Sequence, residues 1–213
     1  MAESIDTPPK RKRRTQERTE VTRAKILAAA VLLFSERGFD GVSIRDIENE
    51  ADVQRGLAAY HFGDKETLWK ATVDHTFGLM SGEFSVRQEI LKELSERDRL
   101  AFIVRFYVRF HAKHPELSRL MSQEARQDGW RIRYLTENHV KPACDAMEKL
   151  VSEAQGLDRN SFIHWYYIMV SASSTIFSFA PECQLLFGVD ALEESRVEAH
   201  ADMLVSMLFG PNP

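Results

Sequence analysis

A chain of 213 residues, 44% apolar and 28% charged, has the length and composition of a globular protein with a sizeable core. No stretch reaches the roughly 18 uncharged apolar residues of a membrane span, and the basic N-terminus has no apolar segment behind it, so a cytoplasmic address and no membrane partner are expected. The net charge of −4 argues against a surface that coats nucleic acid indiscriminately, and two cysteines, Cys144 and Cys183, are too few and too scattered for a disulfide framework or a zinc site.

The negative total hides an uneven distribution. Residues 10 to 25 hold Lys10, Arg11, Lys12, Arg13, Arg14, Arg18, Arg23 and Lys25 against Glu17 and Glu20, as suits a protein that meets DNA at one end only. Residues 1–15, with Pro8-Pro9 and the run Lys10 to Arg14, lack an apolar period and are expected to be a disordered basic arm. Such an arm serves either as a solubilising tail or as a minor-groove contact.

From near Thr22 to Arg37 the residues Ile26, Ala30, Leu33 and Phe34 fall at helical spacing, and Gly38 is a C-terminal stop. After the turn residue Gly41, Ser43 followed three residues on by Asp46 is a capping-box pattern, so a helix is expected to start there with Ile44, Ile47 and Ala51 on one face. That period is lost at Ala51-Asp52, and a second, shorter helix is expected from near Gln54 to about Tyr60. Two short helices joined by a tight turn have the dimensions of a helix-turn-helix, whose second helix reads DNA.

The run LAAAVLLFSERGFDGVSIRDIENEADVQRGLAAYHFGDKETLW resembles, in order, spacing and residue type, the N-terminal DNA-binding domain of the TetR family of transcriptional regulators. The resemblance covers about residues 22 to 73. It implies a homodimer whose C-terminal helices bind a small molecule that lowers DNA affinity. Two departures stand out: Gln54 occupies the place of a small capping residue, and Ala58-Ala59 that of a leucine-tyrosine pair, which removes a family phosphate contact at Ala59.

Within the reader, Arg55 can pair bidentately with guanine, Gln54 with adenine and Leu57 with a thymine methyl, while Gly56 lets the backbone approach the duplex. Ser43, Arg45, Tyr60, His61 and Lys65 are assigned to phosphates, which position a domain without reading sequence. Lys65 opens a helix expected over about Lys65 to Met80, where a cation opposes the helix dipole; a bound phosphate would account for it.

Beyond about Arg87 only helices are expected: about 96–113, 116–127, 130–155 with Pro142 as a break or a new helix start and Gly156 as the stop, 160–179, and 192–209 after an irregular stretch that follows Pro181. Phe106, Phe110, Met121, Glu124, Trp130, Trp165 and Tyr166 are candidate lining of the effector pocket that the resemblance implies. The segment SFIHWYYIMVSASSTIFSF is apolar on nearly every face, so the dimer interface is placed on it and on the last helix, at Ala172, Ser173, Ile176, Val197, Leu204, Met207 and Leu208.

The histidines have no paired metal spacing, and neither a phosphate loop nor a nucleophile elbow is present, so no metal, cofactor or catalysis is expected. The expected architecture is therefore all-α: an arm over 1–15, a three-helix helix-turn-helix domain over 16–64, and a helical ligand-binding and dimerisation domain over 65–213. The expected function is a repressor released from a palindromic double-stranded DNA operator by a small-molecule effector. A ligand-independent dimeric DNA binder and a small helical enzyme remain as alternatives. The first would have no small-molecule cavity, and the second would have a buried cluster of perturbed acids and bases.

Overall fold

The computed structural model describes the backbone of residues 10–87 and 91–210, with side chains from residue 16 onward, and residues 1–9 of the expected arm lie outside this range. Among the described residues every regular element is a helix. The chain divides into two compact units, Met1–His75 and Thr76–Pro213.

The first unit opens with α1, Lys10–Arg37. The basic run Lys10–Arg14 is thus helical rather than part of an arm, and the helix starts well before Thr22. No proline or glycine interrupts residues 10–37, and lysine, arginine, glutamine and glutamate are good helix formers even where they provide no apolar period. Burial begins further on, with Ile26, Ala30, Leu33 and Phe34 closed off from solvent. Helices α2 (Ile44–Glu50) and α3 (Leu57–Phe62) pack on α1 and on each other. Two such short helices would be unstable alone; Ile47, Ala58 and Phe62 supply the packing that holds them. Helix α4, Lys65–Ser85, begins at Asp64, whose Oδ1 accepts the Thr67 N–H at 2.7 Å. The division between units falls inside α4 rather than at its first residue, because Leu68, Trp69 and Val73 in its first half are buried.

The second unit is built around α5, Glu96–Lys113, capped by Ser95, which accepts the Asp98 N–H at 3.2 Å. Around it stand α6 (Pro115–Glu124), α7 (Trp130–Leu135), α8 (Lys141–Gln155), α9 (Arg159–Ser178), α10 (Ala180–Phe187) and α11 (Glu194–Phe209). Their core joins Leu100, Val104 and Val108 of α5 to Met147 and Val151 of α8, to Met169 and Phe177 of α9, and to Ala201 and Leu204 of α11. Each fully buried side chain of this size contributes about 1.5–3 kcal/mol.

Three local features differ from the sequence expectation. Pro142 lies in the first turn of a new helix, as one of the two readings had it, but no loop separates that helix from the one before: a π-helical turn at Thr136–Val140 joins them, with the Lys141 N–H reaching Thr136 O. The wider turn spares the proline ring its clash with the carbonyl four residues back, that of Asn138. The stretch after Pro181 is helical, the proline lying in the first turn of α10, where its missing N–H costs nothing. Finally, α9 is not closed off all round, since Tyr167, Ile168 and Ile163 face solvent.

That last feature corrects the expected dimer residues. Ser173, Val197 and Leu204 are buried within one protomer, so they cannot meet a second. Ala172, Ile176 and Leu208 are half-buried against the same core. Met207 is 75% exposed, and Met203 one turn earlier 63%.

Candidate nucleic-acid interface and helical chamber

In the first unit the capping box forms as expected: Ser43 Oγ accepts the Asp46 N–H at 3.1 Å and the Ser43 N–H donates to Asp46 Oδ2 at 2.8 Å. The Ser43 hydroxyl donates to the same carboxylate oxygen at 2.6 Å, and these bonds hold the Asp46 carboxyl below its ordinary range. The Ser43 proton is committed to Asp46, which leaves its hydroxyl no donor for a phosphate.

The reader starts later than its sequence suggests. Helix α3 begins at Leu57, so Gln54 and Arg55 sit on the exposed turn ahead of it rather than on the helix. Gly56 is the N-cap, at φ 89°, a left-handed conformation that favours glycine. Having no side chain, Gly56 cannot cap anything, and Glu48 of α2 takes over. Its Oε1 accepts the Gly56 N–H at 2.8 Å and the Ala58 N–H at 3.0 Å, and the residue is buried. One carboxylate therefore satisfies two orphan donors of α3 and ties the two helices together. Sequence reasoning missed Glu48; the available signal was an acid eight residues before a glycine N-cap that lacks a cap of its own.

Leu57 is half-buried. Tyr60 is 80% exposed, with its ring edge-on to His61 at 5.1 Å. The His61 carbonyl accepts from Arg23 Nη1 at 3.2 Å, and the Arg23 guanidinium stacks 4.5 Å over the Phe62 ring, which anchors α3 to α1. Lys65 Nζ stands 4.3 Å over the Phe39 ring, so an internal contact accounts for its position; a ring face uses none of its donors outright. Arg45 is exposed on α2. Gln54, Arg55, Tyr60 and Arg45 are thus presented to solvent on a backbone fixed from within.

The second unit holds a half-open chamber of about 650 Å³ lined from α5, α6, α7, the π-helical turn, α8 and α9, with Ile163 and Tyr167 of its lining exposed. Of the seven expected lining residues it brings together two, Met121 and Tyr166. Phe110 and Trp165 are core residues, and Phe106 packs on Phe84 and borders a smaller cavity of about 270 Å³. Glu124 is buried with Arg131 Nε 2.6 Å from its Oε2, while Trp130 lies on the surface beside the Arg131 guanidinium. Aromatics at helical spacing fill a core before they line a space, and that is what happened here.

The chamber's own polar centre is a pair the sequence did not single out. His111 Nδ1 and Ser118 Oγ are 2.8 Å apart, both buried. Burial pushes the His111 imidazole down to about 4, with a smaller contribution from the neighbouring His114, so it is neutral at physiological pH. No carboxylate among the described residues is hydrogen-bonded to His111, so the pair is not a catalytic triad.

A model of bacterial regulatory proteins of the tetR family matches residues 26–72, and a tetracyclin repressor-like C-terminal domain matches residues 97–208. The chain belongs to the TetR family. This TetR-family chain is 32% identical to the HTH-type transcriptional repressor NicS of Pseudomonas putida over 88% of its own length and 89% of that protein's. It is 25% identical over 134 residues to the probable HTH-type transcriptional regulator YttP of Bacillus subtilis, spanning 63% of this chain and 65% of that one. Among solved structures, AibR in complex with isovaleryl coenzyme A and operator DNA superposes with a TM-score of 0.67 at 21% identity, covering 90% of this chain and 100% of that one. At that identity the likeness is one of fold. The protein is a helix-turn-helix transcriptional regulator with a TetR-type C-terminal domain, and no described helix is long and apolar enough to cross a membrane.

Proposed function

We propose that the chain acts as a homodimeric repressor that binds a palindromic operator and leaves it when a small molecule occupies the chamber of the second unit. The observation that supports this most is that chamber, of a size that suits a small ligand, in a chain whose helix-turn-helix holds its polar residues outward. A ligand-independent DNA binder would have no use for it. The solved relative AibR, caught with both a thioester ligand and operator DNA, fits the same scheme. Gln54, Arg55 and Leu57, with Gly56 admitting the backbone, read base edges. Arg45, Tyr60, His61 and Lys65 hold phosphates. The effector acts by population shift, binding the conformation whose two readers no longer match successive major grooves. The exposed Ile168 of α9 and Met203 and Met207 of α11 supply the dimer surface.

Selection of bound DNA from a random pool gives the operator, and two variants test the assignment. Arg55→Ala relaxes preference at one position of each half-site, with about 1–3 kcal/mol lost there, whereas Lys65→Ala weakens all sequences alike and flattens the salt dependence. Identical sequence profiles for both variants would overturn the division between base and phosphate contacts.

A further inference from the structure

The charged groups of the chamber are already matched among themselves. Lys141 Nζ lies 3.0 Å from Asp145 Oδ2, and Arg159 Nη1 lies 3.3 Å from Glu148 Oε1, so two cations and two anions cancel. These pairs are mostly exposed. The buried lining carries no ionised side chain: it is Phe162, Ser174 and the Ser118–His111 pair, with the half-buried Met121, Val170 and Tyr166 beside them. Burial pushes both the Cys144 thiol and the Tyr166 phenol up, so these two stay neutral as well.

Two hydroxyls of the lining serve their own helix. Ser174 Oγ donates to Val170 O at 2.9 Å and Thr175 Oγ1 donates to Ser171 O at 2.7 Å. The buried polar groups left for a ligand are therefore Ser118 and His111, with the half-buried Tyr166 phenol beside them. Whichever partner donates in their mutual bond, the pair keeps one further donor and one further acceptor: an imidazole N–H with a hydroxyl lone pair, or a hydroxyl proton with an imidazole lone pair.

We propose that the chamber takes an uncharged, largely hydrocarbon molecule bearing one carbonyl or hydroxyl oxygen, which hydrogen-bonds to the Ser118–His111 pair. This rests on the chamber being the effector site. A carboxylate, a phosphate or an ammonium placed against the Ser118–His111 pair would be an unpaired buried charge, and a sugar there would bring more hydroxyls than that pair can satisfy. The inference sets this chain apart from its solved relative AibR, whose coenzyme A ligand carries several phosphates.

The test is calorimetric titration of the full chain with a matched series: methyl decanoate, decanol, decane, decanoate, decylammonium and decanoyl-coenzyme A. Methyl decanoate and decanol are expected to bind about tenfold or more tightly than the charged members. In Ser118→Ala their affinity falls about three- to tenfold while that of decane is unchanged, and Ser118→Thr restores it. A purely structural role for Ser118 would weaken decane as much as decanol, and that result would refute the anchor. Tighter binding of decanoate, decylammonium or the thioester overturns the ligand class while leaving an effector chamber in place. Binding of no member of the series overturns the effector chamber and this inference with it.

Discussion

Glu48 is the side chain on which the reader depends most and which its own helix gives least reason to notice. Glu48→Ala removes two hydrogen bonds from a carboxylate to the start of α3 and leaves the Gly56 and Ala58 N–H groups unpaired. A loss of about 2 kcal/mol in stability is expected, with a larger fractional loss of operator affinity than of folded protein. Glu48→Gln keeps an acceptor and should lose less on both measures. Urea unfolding beside operator titration checks this, and a Glu48→Ala protein with unchanged operator affinity would remove Glu48 from the reading apparatus. His111 makes a second residue-scale expectation. Its folded-state value, about 4, lies below the ordinary 6.5, so the unfolded chain binds the proton more readily. Stability from this group is full above pH 6.5, falls by roughly 3 kcal/mol as pH drops from 6.5 toward 4, and loses nothing further below 4. His114, which faces it, opposes the same protonation. Unfolding free energy measured across that window should lose most of its slope in His111→Asn.

At the scale of elements, much was legible because it rests on local rules. The Ser43–Asp46 box, the stop at Gly38 and the burial of Ile26, Leu33 and Phe34 each follow from cap chemistry or helical period. The start of α3 was not, because it depends on a glycine at φ 89° and on a carboxylate from another helix, neither of which a period reveals. The chamber was misread for a related reason: its lining comes from side chains that share no single face of one helix, and the largest aromatics went to the core. Gly56 gives this scale its prediction. A Cβ there would meet nothing within 4 Å, so only the backbone conformation resists substitution. Gly56→Ala should therefore lower stability by about 1 kcal/mol, and Gly56→Asn, which tolerates that region better, by less. Equal melting temperatures for the three proteins would show that α3 can start differently.

For the whole molecule, the decisive contrast is between α11's two faces. Leu204 is 3% exposed inside the protomer, while Met203 and Met207 are open to solvent, as are Leu185, Leu186 and Phe187 of α10. Met203→Glu combined with Met207→Glu should leave a folded protein that sediments as a monomer and loses operator affinity. Leu204→Glu should unfold it, since a charge would enter the core. A double variant that remains dimeric places the interface elsewhere. In the proposed homodimer each chain keeps its own buried core, so folding and pairing would be separate equilibria, and pairing alone would depend on how many copies the cell holds. Below the dissociation constant of the pair, dimer rises with the square of protomer concentration, so halving synthesis lowers the DNA-binding species about fourfold. A regulator assembled in this way responds to its own abundance as well as to its effector.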